Sequence, residues 1–258
     1  MEDYSFRRLT NETDKLPALS GLAHSFQKTF PQAKYVAGIW STHLPAALLW
    51  RTKHSAHRPL SYIAPTWSWA SVVGSITYES QRILNSGGRI EHRSQERASD
   101  CDFGNLSVQA VFTEPKQNDD YGATLSASLH LSGALLTSID SNPQPQEFES
   151  EYQIRSILTK DGVTVGLLYP DVVDEMPYMK ELFCLRIRAE PYYSLIPRPS
   201  DLYKGQEVGD LVMGLVLKKE PKTGNEFRLP KEFRRVGLAR WVISSLFDSS
   251  IASAVTLM

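Results

Sequence analysis

Three histidines lie close together in this sequence, His43, His54 and His57, and His54-Ser55-Ala56-His57 brings two imidazoles within reach of one metal ion if a turn folds them together. A metal centre also needs further ligands at fixed geometry. The next residues are Arg58 and Pro59, so no metal is expected. The two cysteines form no CxxC. Cys101 sits between Asp100 and Asp102, whose charge disfavours a thiolate, and Cys184 sits inside an apolar strand pattern as a small hydrophobe. No GxSxG elbow marks a nucleophilic serine, and no GxGxxG or Walker-type loop precedes a helix. The carboxylates Asp119 with Asp120, and Asp171 with Asp174 and Glu175, are adjacent in polar stretches and read as solvated loops rather than an acid/base pair. The expectation is a chain without catalytic residue, cofactor or metal.

Aromatics are the more distinctive chemistry. Trp40, Trp50, Trp67 and Trp69, four of the five tryptophans, fall within thirty residues, with Tyr62 among them and Tyr35 just ahead. Trp67 and Trp69, two apart on a strand, would share one face. That face is either a platform on which a sugar ring stacks or the anchor against which the N-terminal helices pack. Burial of such rings contributes more than exposure does, so core packing is the preferred reading.

The elements that must carry these residues change period along the chain. Residues 14–29 place Pro17 in a first helical turn and Leu19, Leu22 and Phe26 at intervals of three and four, one apolar stripe that Pro31 ends. A short helix is predicted at 44–51, opened by Pro45 and burying Leu44, Leu48 and Trp50. From residue 66 the period is two: strands are predicted at Thr66 to Val73 and Leu125 to Leu131. Two apolar runs over 154–168 surround Lys160-Asp161-Gly162, a hairpin signal. Further strands are predicted around Phe183, Leu185 and Ile187, at Leu211 to Leu217, and at Arg234 to Leu238. Trp241 to Phe247 fits strand and helix equally poorly. Loops are predicted at 85–100, 113–121, 138–150 and 222–225. Strands without interleaved helices point to an α+β, mainly β chain: a helical N-terminal segment packed on an antiparallel sandwich or barrel-like sheet. It reads as one domain over 1–258, with a helical cap at 1–58 and an antiparallel β region at 59–258.

The chain has 258 residues, 41% hydrophobic and 22% charged, with 28 Lys+Arg against 29 Asp+Glu. Balanced charge argues against a nucleic-acid binder. By thirds, the net charge is +4 over 1–100, −8 over 101–180 and +3 over 181–258, an acidic middle between mildly basic flanks. No apolar run of signal-peptide or membrane-spanning length is present. The expectation is a cytoplasmic protein with no membrane partner.

Tyr35 to Arg51 (YVAGIWSTHLPAALLWR) followed by Arg58 to Gly74 (RPLSYIAPTWSWASVVG) is similar to the segment downstream of the HET domain in fungal heterokaryon-incompatibility proteins. That segment shows Y-x-A-G-[LI]-W, L-P-x-x-L-L-W and A-P-[ST]-W-S-W-A-S in this order. The opening YSFRRLTNETDKLPALSGLA and the closing FRRVGLA (Phe233 to Ala239) resemble the family as well, while about 80 to 180 is weak. The resemblance implies a C-terminal module without the HET domain proper, and it carries over no catalytic residue. It marks Trp40, Trp50, Arg51, Pro65, Trp67, Trp69, Arg235 and Gly237 as structural determinants and a contact surface. Pro65 would open a strand, Gly38 and Gly74 would serve as turn or close-approach positions, and Arg51 and Arg58 are placed to stack on the tryptophans or pair with a carboxylate. The implied role is a non-enzymatic accessory module in fungal non-self recognition or regulated cell death, working through an unknown protein partner. Self-association is expected if an apolar patch lies open. The alternative is a β-sandwich module that binds carbohydrate or another small ligand on Trp67 and Trp69.

Overall fold

Pro17, which needs no hydrogen-bonded N–H, begins the longest helix, and alternating apolar residues dominate the second half of the chain, where the strands lie. The computed structural model describes residues 1–78, 82–84, 90–92, 103–117, 119–143, 154–178, 181–191, 203, 209–221 and 232–258. The N-terminal segment contains α1 (Glu2–Ser5), α2 (Pro17–Gln27), the two-residue strands β1 (Tyr35–Val36) and β2 (Ile39–Trp40), and β3 (Trp50–Thr52), which pairs with β4 (Ile76–Tyr78). β5 (Arg82–Leu84) pairs with β6 (Ile90–His92). β6 falls inside the predicted 85–100 loop; the rest of that loop and the 222–225 loop lie outside the described residues, as does Cys101.

The main sheet comprises β7 (Ser107–Pro115), β8 (Thr124–Pro143), β9 (Arg155–Leu158), β10 (Thr164–Pro170), β11 (Leu182–Pro191), β12 (Asp210–Lys219), β13 (Glu232–Ile243) and β14 (Ala252–Leu257). Antiparallel pairings run β8–β11–β12–β13–β10–β9 and back to β8, so six strands close into a barrel. The long β8 makes this closure work: its first half bonds β7 and β14 and its second half bonds β11 and β9. The pairing of β13 with β14 is parallel, one exception to the expected antiparallel order. One apolar cluster draws Ile139, Ile157, Leu168, Cys184, Val216 and Val236 from the six barrel strands, mostly compact residues suited to a narrow interior. Leu211, Met213, Leu215 and Leu217, the alternate positions of β12, belong to a second, larger cluster together with Leu16, Leu48, Trp50, Trp67 and Trp69. The N-terminal segment therefore covers the outer face of the barrel and shares a core with it.

The α+β, mainly β expectation holds, and the Asp161-Gly162 signal falls at the β9–β10 hairpin, with Gly162 at φ +78°. Several elements differ. Residues 44–51 form a 3-10 turn (Ala46–Leu48) and then β3, because the stretch is too short to repay helix nucleation. Thr66 to Val73 is not a strand: Ser68 caps a 3-10 turn at Trp69–Ser71 by accepting the Ala70 N–H, and Pro65 precedes a turn rather than opening a strand. On α2, Leu19 and Ala23 are buried, whereas Leu22 and Phe26 are exposed. Residues 113–115 and 138–143 of the predicted loops are strand instead, since β7 runs to Pro115 and β8 to Pro143, and 144–150 lie outside the described residues. Trp241 to Phe247 is both things in sequence, strand to Ile243 and 3-10 turn from Ser244.

Candidate functional site

The motif residues converge on the seam between the N-terminal segment and the barrel. Arg235, on β13, is fully buried and holds Asp171 through two parallel bonds, Nε to Oδ2 at 3.1 Å and Nη2 to Oδ1 at 3.0 Å. The same guanidinium donates to the Leu48 and Trp50 carbonyls and stands 3.6 Å over the Trp50 ring. Asp171 follows the end of β10, directly beside β13, because Gly237 lets the strands close: a Cβ there would meet Tyr169 O at 2.7 Å and Leu168 Cδ1 at 2.6 Å. Around this pair, Arg58 reaches Glu175 at 3.0 Å, Asp171 at 3.7 Å, Ser71 Oγ at 3.1 Å and the Arg235 carbonyl at 3.1 Å. Arg234 links Glu175 to Glu220. Burial pushes the Asp171 carboxyl up from its ordinary range while Arg235 and Arg58 act to lower it. Burial likewise pushes the Arg235 guanidinium down, opposed by Asp171.

The tryptophans are fastened from the other side. Trp50 Nε1 donates to the Trp67 carbonyl at 3.0 Å, and Trp69 Nε1 to the Gly38 carbonyl at 2.9 Å. Gly38 has φ +88°, and a Cβ there would lie 2.8 Å from Trp69 Nε1. Lys15, 6% exposed, donates to the Val72 and Trp69 carbonyls and lies 4.7 Å over the Trp69 ring. Burial pulls its ammonium down to about 8, with Glu12 acting the other way. Thr66 closes the seam, donating from Oγ1 to the Met258 carbonyl and accepting the Arg235 N–H at 3.0 Å.

Of the residues marked in the sequence, Trp50, Trp67, Trp69, Pro65, Arg235 and Gly237 come together here. Trp40 stands apart on β2 with its ring 5.0 Å from Tyr35, and Arg51 lies 4.9 Å from the Tyr169 ring rather than on a tryptophan. Trp50, Trp67 and Trp69 are 0% exposed, so they present no contact surface, and the platform for a sugar on Trp67 and Trp69 does not exist. Arg58 does find carboxylates, as expected. His43 and His54 are exposed, and His57 bonds Glu12 at 3.0 Å; among the described residues no three His, Cys, Asp or Glu side chains group as a metal site. The sequence reading missed Asp171 and Lys15. Asp171 was indistinguishable from its acidic neighbours Asp174 and Glu175, while Lys15 had a weak signal as a lone cation ahead of an apolar helix.

A depression of about 250 Å³ lies elsewhere, between Phe103, Asn105, Arg186 and Asp248. Among the described residues no helix is long and apolar enough to cross a membrane. The fold and seam define a closed β-barrel clamped to an aromatic N-terminal segment by buried cations. No protein-family model, curated protein or solved structure matches this chain.

Proposed function

We propose that this chain is a non-enzymatic accessory module of a heterokaryon-incompatibility-type protein, serving fungal non-self recognition or regulated cell death through contacts with other proteins in the cytoplasm. The observation that supports this reading is where the motif residues go. The Arg235 guanidinium is occupied by one carboxylate, two carbonyls and one indole face, and Trp67 and Trp69 are buried beneath the segment they order. The motif order that resembles the family therefore encodes an architecture, and such an architecture acts by what its surface docks. The test is expression of the chain in hyphae of a filamentous fungus carrying an incompatible pair, read by vital-dye uptake after cell fusion and by in-cell cross-linking. The expected result is a several-fold change in lysis and a cross-linked species above 29.0 kDa. Unchanged lysis with the chain cross-linking only to itself or to nothing would overturn the reading.

A further inference from the structure

The long strand β8 changes partners at its middle: it pairs with β14 as far as Ala134, opposite Ala252, and with β11 from Leu135, opposite Leu185. Ala134 is thus where β8 enters the barrel. The 3-10 turn Ser244–Phe247 packs against β8 and β12 at this end, and its Phe247 ring belongs to the interior cluster that Ala134 borders. The depression of about 250 Å³ is lined by Ala134 and Phe247, so it is one mouth of the barrel, a place where β-barrels hold small ligands. Phe103 and Leu106, just ahead of β7, add further apolar surface.

Four polar side chains share this mouth. Arg186 stands where the β11–β12 register shifts, a bulge of the kind that re-aims a side chain. Its guanidinium lies against Gly104, whose φ is +55°: an added Cβ would stand 3.3 Å from Cζ, 3.4 Å from Nη2 and 3.5 Å from Nε. Near-equal distances to three atoms of the fork mean that its face rests on the glycine, and its in-plane N–H donors are presented edge-on. Asp248, directly after Phe247, is exposed and makes no ion pair among the described residues. Asn105 and Ser250 contribute an amide and a hydroxyl.

Charge complementarity decides what fits. A phosphate or dicarboxylate would meet the Asp248 carboxylate as a like charge, a polyamine would meet Arg186, and a neutral sugar would answer neither. A volume below the roughly 300–1,000 Å³ of pockets for drug-sized molecules leaves no room for a nucleotide or an oligosaccharide. The matching ligand is small, carries one charge of each sign and has an apolar part. We infer that the barrel mouth at Arg186 and Asp248 binds a free α-amino acid with an apolar side chain. The guanidinium donates to its carboxylate, its ammonium donates to Asp248, and its side chain lies on Phe103 and Leu106. This site goes beyond the accessory-module reading and does not depend on it.

The test is calorimetric titration of the full chain with L-phenylalanine up to about 10 mM, which reaches dissociation constants near 1 mM. Saturable binding of one molecule per chain is expected. 3-Phenylpropanoate, which lacks the ammonium, and 2-phenylethylamine, which lacks the carboxylate, should each bind about tenfold more weakly or worse, the worth of one hydrogen bond to a charged group. Asp248→Asn, at an exposed position, should leave the thermal midpoint in place, weaken phenylalanine about tenfold and erase its advantage over 3-phenylpropanoate. Arg186→Gln should likewise erase its advantage over 2-phenylethylamine, and if that half-buried change disturbs the fold, Asp248→Asn still decides. No binding of phenylalanine, or binding that Asp248→Asn leaves unchanged, overturns the inference. So does 3-phenylpropanoate binding the native chain as tightly as phenylalanine, which would make the mouth a plain anion site. None of these titrations bears on the hyphal assay, so the two readings fail separately.

Discussion

Two buried cations fasten the same N-terminal segment, and they are solved in opposite ways. Arg235 enters from the barrel with a carboxylate at bidentate distance, and Arg58, Glu175, Arg234 and Glu220 extend the pair outward to partly exposed groups. Lys15 enters from the segment itself and meets two carbonyls and an indole face, with no carboxylate in salt-bridge distance among the described residues. A planar guanidinium with five donors can bind Asp171, two carbonyls and a ring at once. A compact ammonium with three donors can be satisfied by carbonyls, but it keeps its full desolvation cost. In the Arg235 seam each charge opposes the push that burial exerts on the other, while the Lys15 seam, with no carboxylate at bonding distance among the described residues, loses its proton more readily than an exposed lysine does.

The largest effect falls on the paired seam. Asp171→Ala leaves a buried guanidinium uncompensated and is expected to cost about 3–5 kcal/mol in chemical denaturation. The double variant Asp171→Leu with Arg235→Met replaces the pair by apolar volume and should recover part of that loss. A remainder of about 1–3 kcal/mol should persist, because the Leu48 and Trp50 carbonyls lose their donor. If the double variant is no better than the single, the pair is not what Asp171 contributes.

The unpaired seam should instead show itself in pH. An ammonium held at about 8 in the folded chain and near 10.5 in the unfolded one means that, between those values, the unfolded state binds more protons, so stability rises with pH. The full swing is about 3 kcal/mol. Above about pH 10 the buried Tyr35 and Tyr78, whose hydroxyls burial pushes up, work against it, since unfolded tyrosines ionise first. Denaturant midpoints measured from pH 7.5 to 9.5 should climb for the native chain relative to Lys15→Met, whose own profile falls toward pH 9.5, because burial pushes the Cys184 thiol up to about 12 and the unfolded thiol ionises first. A native profile parallel to that of Lys15→Met would mean that the ammonium is as well solvated as an exposed one.

The two seams also differ in how much of them the sequence displayed. Arg235 and Gly237 stand in a predicted strand, and the strands at 183–187 and 211–217 were legible as apolar runs whose alternate residues enter the two core clusters, while at 125–131 Ala127, Leu129 and Leu131 are buried and the residues between them are not. The stretch TWSWASVV alternates too, yet it forms a turn, because Trp67, Ser68, Trp69, Ala70 and Ser71 are all buried and alternation carries no direction when every side is core. Its Ser68 acts as a cap, donating to the Ala37 carbonyl and accepting the Ala70 N–H, roles that composition cannot separate from a polar strand face. α2 failed in the opposite sense: Leu22 and Phe26 have the right period for burial, and only the neighbours they lack leave them open. The Arg235–Asp171 contact, 64 residues apart, depends on barrel closure and was beyond any local pattern.

Smaller effects sharpen the comparison through two glycines with left-handed backbone. Gly38 belongs to the Lys15 seam, where an added Cβ would sit 2.8 Å from the Trp69 Nε1 that Gly38 itself accepts from. Gly162, at the tip of the β9–β10 hairpin, has φ +78° and nothing within 4 Å of an added Cβ. Gly162→Ala therefore isolates the backbone term, about 1 kcal/mol, and Gly38→Ala adds to it the displacement of an indole. A loss of about 2–3 kcal/mol at Gly38 against about 1 at Gly162, read from denaturant midpoints, would place the difference in the seam. Equal losses would mean that Trp69 moves aside freely, and then the Lys15 seam would hold the N-terminal segment far less firmly than its hydrogen bonds suggest.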